Sequence, residues 1–572
     1  MSLVDNRTEI NDCEDDNIDF VTTGSALNTN TAAGNLFENA ASVQALHSNV
    51  YDDTYTIDDS AGALLNIDMT DVTVYLIAKD DGLGLAAVAS AMIVLGDNVD
   101  RIGYTVGGSD AIGMPVRRQF SSYKLDVSVV IAAPGAADVG HHVFAGVEGD
   151  LAHSAITQVG WGTLHSAKAQ GNVANLWLDR FSYMANDSYA ITIQGGTSGT
   201  PETMSDVVGD DETAGIALFA NPLGSLFQFF GPTEWGTPSG TADSYFTATD
   251  EQWYWLGDNS GGHAVAATHF PFRLIGNATG TNSWVIERVT IVNISTRVQF
   301  DLSNVDMDIV KIIAVTFIDI GVLIFPAQDA GNKFCDNSVF INCDKMDLQS
   351  LDMDSNTWIG SNDADGAIVW DENTTDVANQ DSSTFSSGGT GHAIEIAPVG
   401  AGPFTYNISG LVVDGYAGST GTDTDRVFFI NPPISDPAID ADITINITDG
   451  SALNVQGGGD GFSFRAVGGY TGTVSINQTV TLSVTVVDSD GAAIEGARVR
   501  IENASSGALI SQGETNGSGV YSDGTYNYGG DVSVLTKVRL KGFKNFRTAG
   551  LIEGTGISVG VTMQTDDIVD LP

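Results

Sequence analysis

From about Trp284 onward the chain repeats one short pattern. It reads VTIVNIS from Val289, VTFIDIG from Val315, SVFINCD from Ser338, NTWIGSN from Asn356, STFSSGG from Ser383, GLVVDGY from Gly410 and ITINITD from Ile443. Most copies have two apolar residues followed by a polar corner of Asn, Asp or Ser. Between the equivalent positions Ile291, Phe317, Phe340, Trp358, Phe385 and Val412 the spacings are 26, 23, 18, 27 and 27 residues. Short strands with polar corners at such intervals indicate a solenoid, in which one coil cannot bury its apolar face and stacking supplies the core. The β-branched and aromatic content makes it a parallel β-helix, expected to be right-handed, rather than a helical array. Uneven spacing follows when the loops at one corner vary in length. A further irregular sandwich is the alternative.

The rest of the chain is also β in texture. Runs such as VTVYLIAKDD, YKLDVSVVIAAPG and VANLWLDRFSYMA alternate apolar and polar residues and end in Gly, Asp or Asn turns. They predict a β-sandwich or jelly roll over residues 1–268, followed by the β-helix over 269–468 and a further β-sandwich over 469–572. LGLAAVASAMIVLG, from Leu83, has helical propensity, but strand signals surround it. The fold class expected is therefore all-β, in three domains.

Charge narrows the partners. The 572 residues carry 23 Lys plus Arg against 72 Asp plus Glu, a net charge of −49. Such a field repels phosphate backbones and anionic lipid, so neither nucleic-acid binding nor membrane insertion is expected. The stretch IVKIIAVTFIDIGVLIFP, Ile309 to Pro326, contains Lys311 and Asp319 and reads as buried strands rather than a spanning helix. The opening MSLVDNRTEINDCEDDNIDF shows no basic segment leading into an apolar one, so no signal peptide is expected and synthesis in a cytoplasm is. The sequons at Asn277, Asn293, Asn407 and Asn446 then carry no weight.

The last segment carries the clearest local motif. VVDSDGAAIEGARVRI and then TNGSGVY supply Asp488, Gly491, Ile494, Gly496, Ala497, Val499 and Ile501, followed by Thr515, Asn516 and Gly519. The pattern resembles the transthyretin-like, or carboxypeptidase regulatory-like, immunoglobulin-type domain, with Ala493 where that family usually has proline. The resemblance covers residues 475–566 and implies a non-catalytic structural module. An opening VDNRTEINDCE, a lectin-like β domain with GTSGTPETMSDVVGDDE and SGTADSYF, then a β-helix and an Ig-like end resemble, in that order along the whole chain, the virion appendage proteins of tailed bacteriophages. That resemblance implies a non-enzymatic structural component of the virion, a homotrimeric fibre or spike contacting other virion proteins and host surface glycan. A capsid decoration (cement) protein and a glycan-degrading tailspike are the alternatives it leaves open.

Few residues suggest chemistry. Carboxylates inside the coils, Asp301, Asp306, Asp308, Asp319, Asp344 and Asp347, are candidates for glycan hydrolysis, which needs two carboxyl groups ~5–9.5 Å apart. Among 72 acids, proximity alone nominates no pair, so no catalytic residue is assigned. DSDG at Asp488 and DADG at Asp363 look like fragments of a Ca2+ loop but lack its full ligand set; Asp/Gly turns explain both, and no cofactor is assigned. Trp235, Trp253, Tyr254 and Trp255 are candidates for stacking on sugar faces or for a core. LTKVRLKGFKNFRTAG gathers Lys537, Arg539, Lys541, Lys544 and Arg547 with no acid between them. Lys537, Arg539 and Lys541 alternate onto one strand face, either as a charged edge strand or as a docking face for an acidic partner, such as a neighbouring copy. Of three cysteines, Cys335 and Cys343 flank the Ser338 repeat and read as small buried apolar residues, with a disulfide geometrically open; Cys13 is remote.

Overall fold

In the computed structural model the repeated segments are short strands bracketed by left-handed bends. Arg288, Ala314, Asn337, Ser355, Ser382 and Asp449 have φ between 51° and 61° and precede the strands; Asp319 and Asn342, within the same range, follow them. Gly360, Gly410 and Gly415 take the same role at φ 68–78°. An L-residue pays for this conformation unless it is Gly, Asn or Asp, which is why the repeat ends in those types. Between the bends lie Thr290–Asn293, Thr316–Ile318, Val339–Ile341, Thr357–Ile359, Thr384–Ser386 and Val412–Asp414.

The structure describes residues 3–11, 20–23, 25–30, 42–48, 53–58, 66–80, 88–97, 99–107, 121–127, 131, 141–147, 150–165, 173–185, 189–204, 206, 216–221, 224–229, 233–236, 243–248, 253–256, 272–293, 299–326, 332–348, 351–361, 363–372, 380–416, 423–453 and 462–566. They form β-strands and turns, with short 3-10 segments at His153–Ala155 and Pro437–Asp440. The all-β expectation holds. No helix among them is long and apolar enough to cross a membrane. Ile309 to Pro326 forms three strands, Ile309–Ile313, Thr316–Ile318 and Val322–Ile324. The helical alternative for the stretch from Leu83 gives way to the strand Val88–Gly96. The chain falls into two compact units, Met1–Lys311 with Val315–Ile324 and Ile312–Ala314 with Phe325–Pro572.

The first unit begins with two six-stranded antiparallel sheets. Val74, Leu76, Leu125 and Phe181 from one pack against Ile93, Leu95, Ile102, Val159 and Trp161 from the other, all fully buried. Parallel pairing starts at Ile191–Ile193, which stacks in register on Thr233–Trp235, Phe272–Leu274, Gln299–Asp301 and Val322–Ile324. A second ladder runs from Gly224–Phe229 through Trp253–Leu256 and Thr290–Asn293 to Thr316–Ile318. The sandwich-to-coil boundary expected at residue 268 thus lies inside the stack. Aromatic side chains between residues 227 and 254 fill the first coils, which gives that stretch a different texture from the later repeats.

The second unit continues the same construction. Val339–Ile341, Thr357–Ile359, Thr384–Ser386, Val412–Asp414 and Ser451–Leu453 stack in parallel. The column of inward residues is Phe340, Trp358, Phe385, Val413 and Ala452, so the register runs through Val413 rather than Val412. Trp358 stacks on Phe340 at 5.3 Å and on Phe385 at 4.6 Å. Ile443–Thr448 belongs to another side of the coil, where it pairs with Phe404–Ser409. On that side Asn446 donates to Asn407 at 2.8 Å, and Asn477 donates to Asn446 at 2.9 Å.

The 14-residue strand Val474–Val487 belongs to both the coils and the terminal domain. Its first half lies parallel to Ile443–Thr448; its second half pairs with Val520–Asn527 and Ile557–Thr562. A second sheet, in the order Leu509–Glu514, Arg498–Asn503, Val532–Arg539 and Phe546–Ile552, covers the other side of the core. The motif residues build its corners. Asp488 accepts from the N–H groups of Asp490 and Ala492, and Thr515 donates to the Ile494 carbonyl at 2.6 Å while accepting from Ala497 N–H. At Gly519, φ 74°, a side chain would meet the Val486 carbonyl at 2.5 Å, so glycine is required there.

Candidate interaction surface

The basic run near the C-terminus divides between a strand, a turn and a second strand. Lys537 and Arg539 lie on Val532–Arg539, and Arg547 on Phe546–Ile552. Lys541 and Lys544 occupy the exposed turn between them, where Gly542 has φ 87°. The strand ends at Arg539, so Lys541 does not share the face of Lys537 and Arg539 as its spacing suggests. Val532–Arg539 is an inner strand, paired on one side with Arg498–Asn503 and on the other with Phe546–Ile552. Protection of a sheet edge therefore does not explain the cations at 537 and 539.

Neighbouring strands add two arginines to the face. Arg498 lies directly across from Arg539, Arg500 from Lys537, and Arg547 from Lys537 on the far side. Arg498, Arg500, Arg539 and Arg547 are exposed, while Val499 and Val538 between them point into the core. Alternation thus sends every cation outward. Directly opposed side chains sit ~4.5–5.5 Å apart at Cβ, and like charges there destabilise the sheet. Two acids offset part of that cost. Glu502 bridges Arg500 Nε and Lys537 Nζ, each at 2.5 Å, and the Lys537 hydrogen bond holds its carboxyl below the ordinary range. Glu514 reaches Arg498 only at 3.8 Å, with the two side chains 64% and 82% exposed. Arg539, Lys541, Lys544 and Arg547 have no ion-pair partner among the described residues.

These side chains line an open cleft of about 540 Å³, formed by Arg498, Arg500, Glu502, Gln512, Glu514, Lys537 and Arg539 around the backbone of Val499 and Gly513. No aromatic ring lines it, so it offers charge and hydrogen-bond donors rather than a stacking platform. Arg498 and Arg500 stand in ARVRI, where the isolated pair carried little signal; only the strand register brings them beside the C-terminal run.

The aromatic candidates serve a different purpose. Trp235 and Tyr254 are each only 2% exposed. Trp235 packs against Phe246 at 4.1 Å, Phe272 at 5.1 Å and Trp284 at 5.8 Å, inside the coils. Neither ring presents a face to a sugar, because the strand alternation that stacks the coils turns both inward. Trp253 and Trp255 flank Tyr254 on the same strand; their side chains lie outside the described residues.

The coil carboxylates are used locally. Asp301 accepts from Ser303 N–H at 2.9 Å, and Asp308 from Asn282 N–H at 2.8 Å. Asp306 receives the Asn282 amide on its carbonyl, Asp319 forms a left-handed corner, and Asp347 is exposed. Burial, then Asp363, pushes Asp344 up. At the DADG loop, Lys345 Nζ lies 3.9 Å from Asp363 and 3.5 Å from Asp365, and 2.7 Å from Glu395. Glu395 is only 4% exposed and also accepts from Asn431 at 2.6 Å, so this buried carboxylate ties successive coils together. Burial pulls Lys345 down, but the Glu395 hydrogen bond and charge, with Asp363 and Asp365, hold it above its ordinary value. Among the described residues, no three His, Cys, Asp or Glu side chains are grouped to hold a metal.

Cys335 and Cys343 are buried free thiols. Burial pushes the Cys335 thiol up, which makes it inert. Cys13 lies outside the described residues.

No known protein family matches the chain. None of the curated proteins compared with it matches either. Among solved structures, one described as the structural analysis of an exo-beta-agarase is similar over 32% of this chain and 26% of its own, at 12% identity and a TM-score of 0.23. The alignment thus spans about a quarter of that chain's length, and a likeness of this size carries no argument about fold or activity.

Proposed function

We propose that the protein is a non-enzymatic structural component of a tailed bacteriophage virion, a fibre- or spike-like appendage that attaches through its C-terminal domain. The observation that carries this reading is the shared strand Val474–Val487, which continues the stacked coils directly into a sandwich bearing a cationic face. A strand common to coil and sandwich resists hinging, because bending there would break ladder hydrogen bonds in both. Coils bracketed by left-handed corners and filled by stacked aromatics give a stiff support. The cationic face gives a chain of charge −49 a place where an acidic surface, a neighbouring copy's included, is attracted rather than repelled.

Incubation of the full chain with host surface polysaccharide tests the non-enzymatic part. The expected result is no rise in reducing ends or unsaturated products; their appearance would replace this reading with that of a tailspike enzyme. Quantitative mass spectrometry of purified particles tests the structural part. A few to tens of copies per particle are expected, whereas hundreds would identify a capsid decoration protein and absence would remove a virion role.

A further inference from the structure

The cations of the terminal sheet are arranged at a cost. Arg498 opposes Arg539, Arg500 opposes Lys537, and Lys537 opposes Arg547 across adjacent strands. Each like-charge pairing works against the fold. The chain has 72 acids with which to neutralise them, yet among the described residues only Glu502 and Glu514 form ion pairs with them. Such an arrangement persists where the cations meet their counter-charges on something else.

The chemistry of the face selects that partner. The cleft holds four cations and no aromatic ring, which suits carboxylates and gives a sugar or a base nothing to stack on. Paired guanidinium groups take carboxylates through two parallel N–H donors. The chain itself, with 72 acids against 23 cations, supplies carboxylate surface of that kind on every copy.

We propose that the cationic sheet face built from Arg498, Arg500, Lys537, Arg539 and Arg547 docks on an acidic surface of a second copy of this chain. The contact is heterologous. A two-fold axis through this face would bring cations onto cations, so the face of one copy meets a different, acidic patch of the next. Each copy then carries one donor face and one acceptor face, and assembly proceeds by ring closure or by extension.

Sedimentation velocity of the full chain tests this, with R498E/R539E as the principal variant; both side chains are exposed, and circular dichroism checks the fold. In ~0.15 M salt the wild type is expected to associate as its concentration rises, and in ~1 M salt to dissociate, because the screening length falls from ~8 Å to ~3 Å. The variant alone is expected to weaken association by about tenfold or more. It still carries the acceptor patch, so labelled variant is expected to co-sediment with wild type and to cap its assemblies at smaller sizes. R498Q/R539Q, expected to show an intermediate loss, replaces it should the charge reversal prevent folding. A wild type that stays monomeric, a variant that associates as well as wild type, or a variant that fails to join wild-type assemblies would each overturn the proposal.

Discussion

Arg498 and Arg539 stand directly opposite one another on adjacent antiparallel strands, with Val499 and Val538 beside them pointing into the core. Their placement follows from two ordinary facts of sheet geometry, alternation and register. Its energetic sign is unfavourable within a single chain. This conflict between local stability and charge placement is the reason to assign the face a partner.

Replacing one of the two should therefore stabilise the domain that carries them. Arg539→Glu converts the opposed pair from repulsive to attractive and leaves Val538 in place. A gain of about 0.5–1 kcal/mol is expected, read as a higher transition temperature for the terminal domain in calorimetry of the full chain. A lower transition temperature would mean that Arg539 makes a stabilising contact within its own chain.

Asn356 is fully buried and joins two coils, donating to the Cys335 carbonyl at 2.6 Å and accepting from Ser338 N–H at 2.7 Å. Asn356→Ala removes both of these hydrogen bonds from buried backbone groups. A loss of about 2–4 kcal/mol is expected, measured by urea unfolding followed through tryptophan fluorescence. Cys335→Ser, which keeps the volume, should cost less.

Asp354 gives the coils a pH dependence. Burial, then Asp352, Asp381 and Asp336, pushes its carboxyl up to about 6. In the unfolded chain it titrates near ~3.9, so the folded state binds the extra proton in between. Stability therefore falls as pH rises from about 4 through about 6. Asp354→Asn keeps the oxygen that accepts from Asp381 N–H, at 2.9 Å in the wild type. It should raise stability at pH ~7 by about 1 kcal/mol, a value that allows for solvent screening of a partly open group, and flatten the slope over that window. Unfolding curves at several pH values read both effects.

Trp235→Ala separates the core role from sugar binding. It removes a ring packed by Phe246, Phe272 and Trp284, and a loss of about 3–5 kcal/mol is expected from the cavity left behind. Thermal unfolding checks it. An unchanged transition would place the ring outside the packed interior.

Much of the architecture was legible because it rests on local rules. The corner residues announced the coils, since Asn, Asp and Gly tolerate the left-handed bends at Asp319, Asn342 and Gly360. Asp488, Thr515 and Gly519 announced the terminal sandwich in the same way. The start of the stack was hidden because the first coils are filled by Trp235, Phe246 and Tyr254, and an aromatic run reads equally well as a binding surface. Half of the cationic face was hidden too. Arg498 and Arg500 lie some 40 residues before the basic run, and only the pairing of two strands unites them. Periodicity reveals which way a side chain points, but not which strand will lie beside it.

The central claim is that the chain is a structural appendage held at its C-terminal end. Electron cryomicroscopy of purified particles, with an antibody fragment bound to an N-terminal epitope, tests it most directly. The account predicts label at a few fixed sites on projections, distal to their attachment. Label spread over the whole capsid shell, or particles that carry none of the chain, would contradict it.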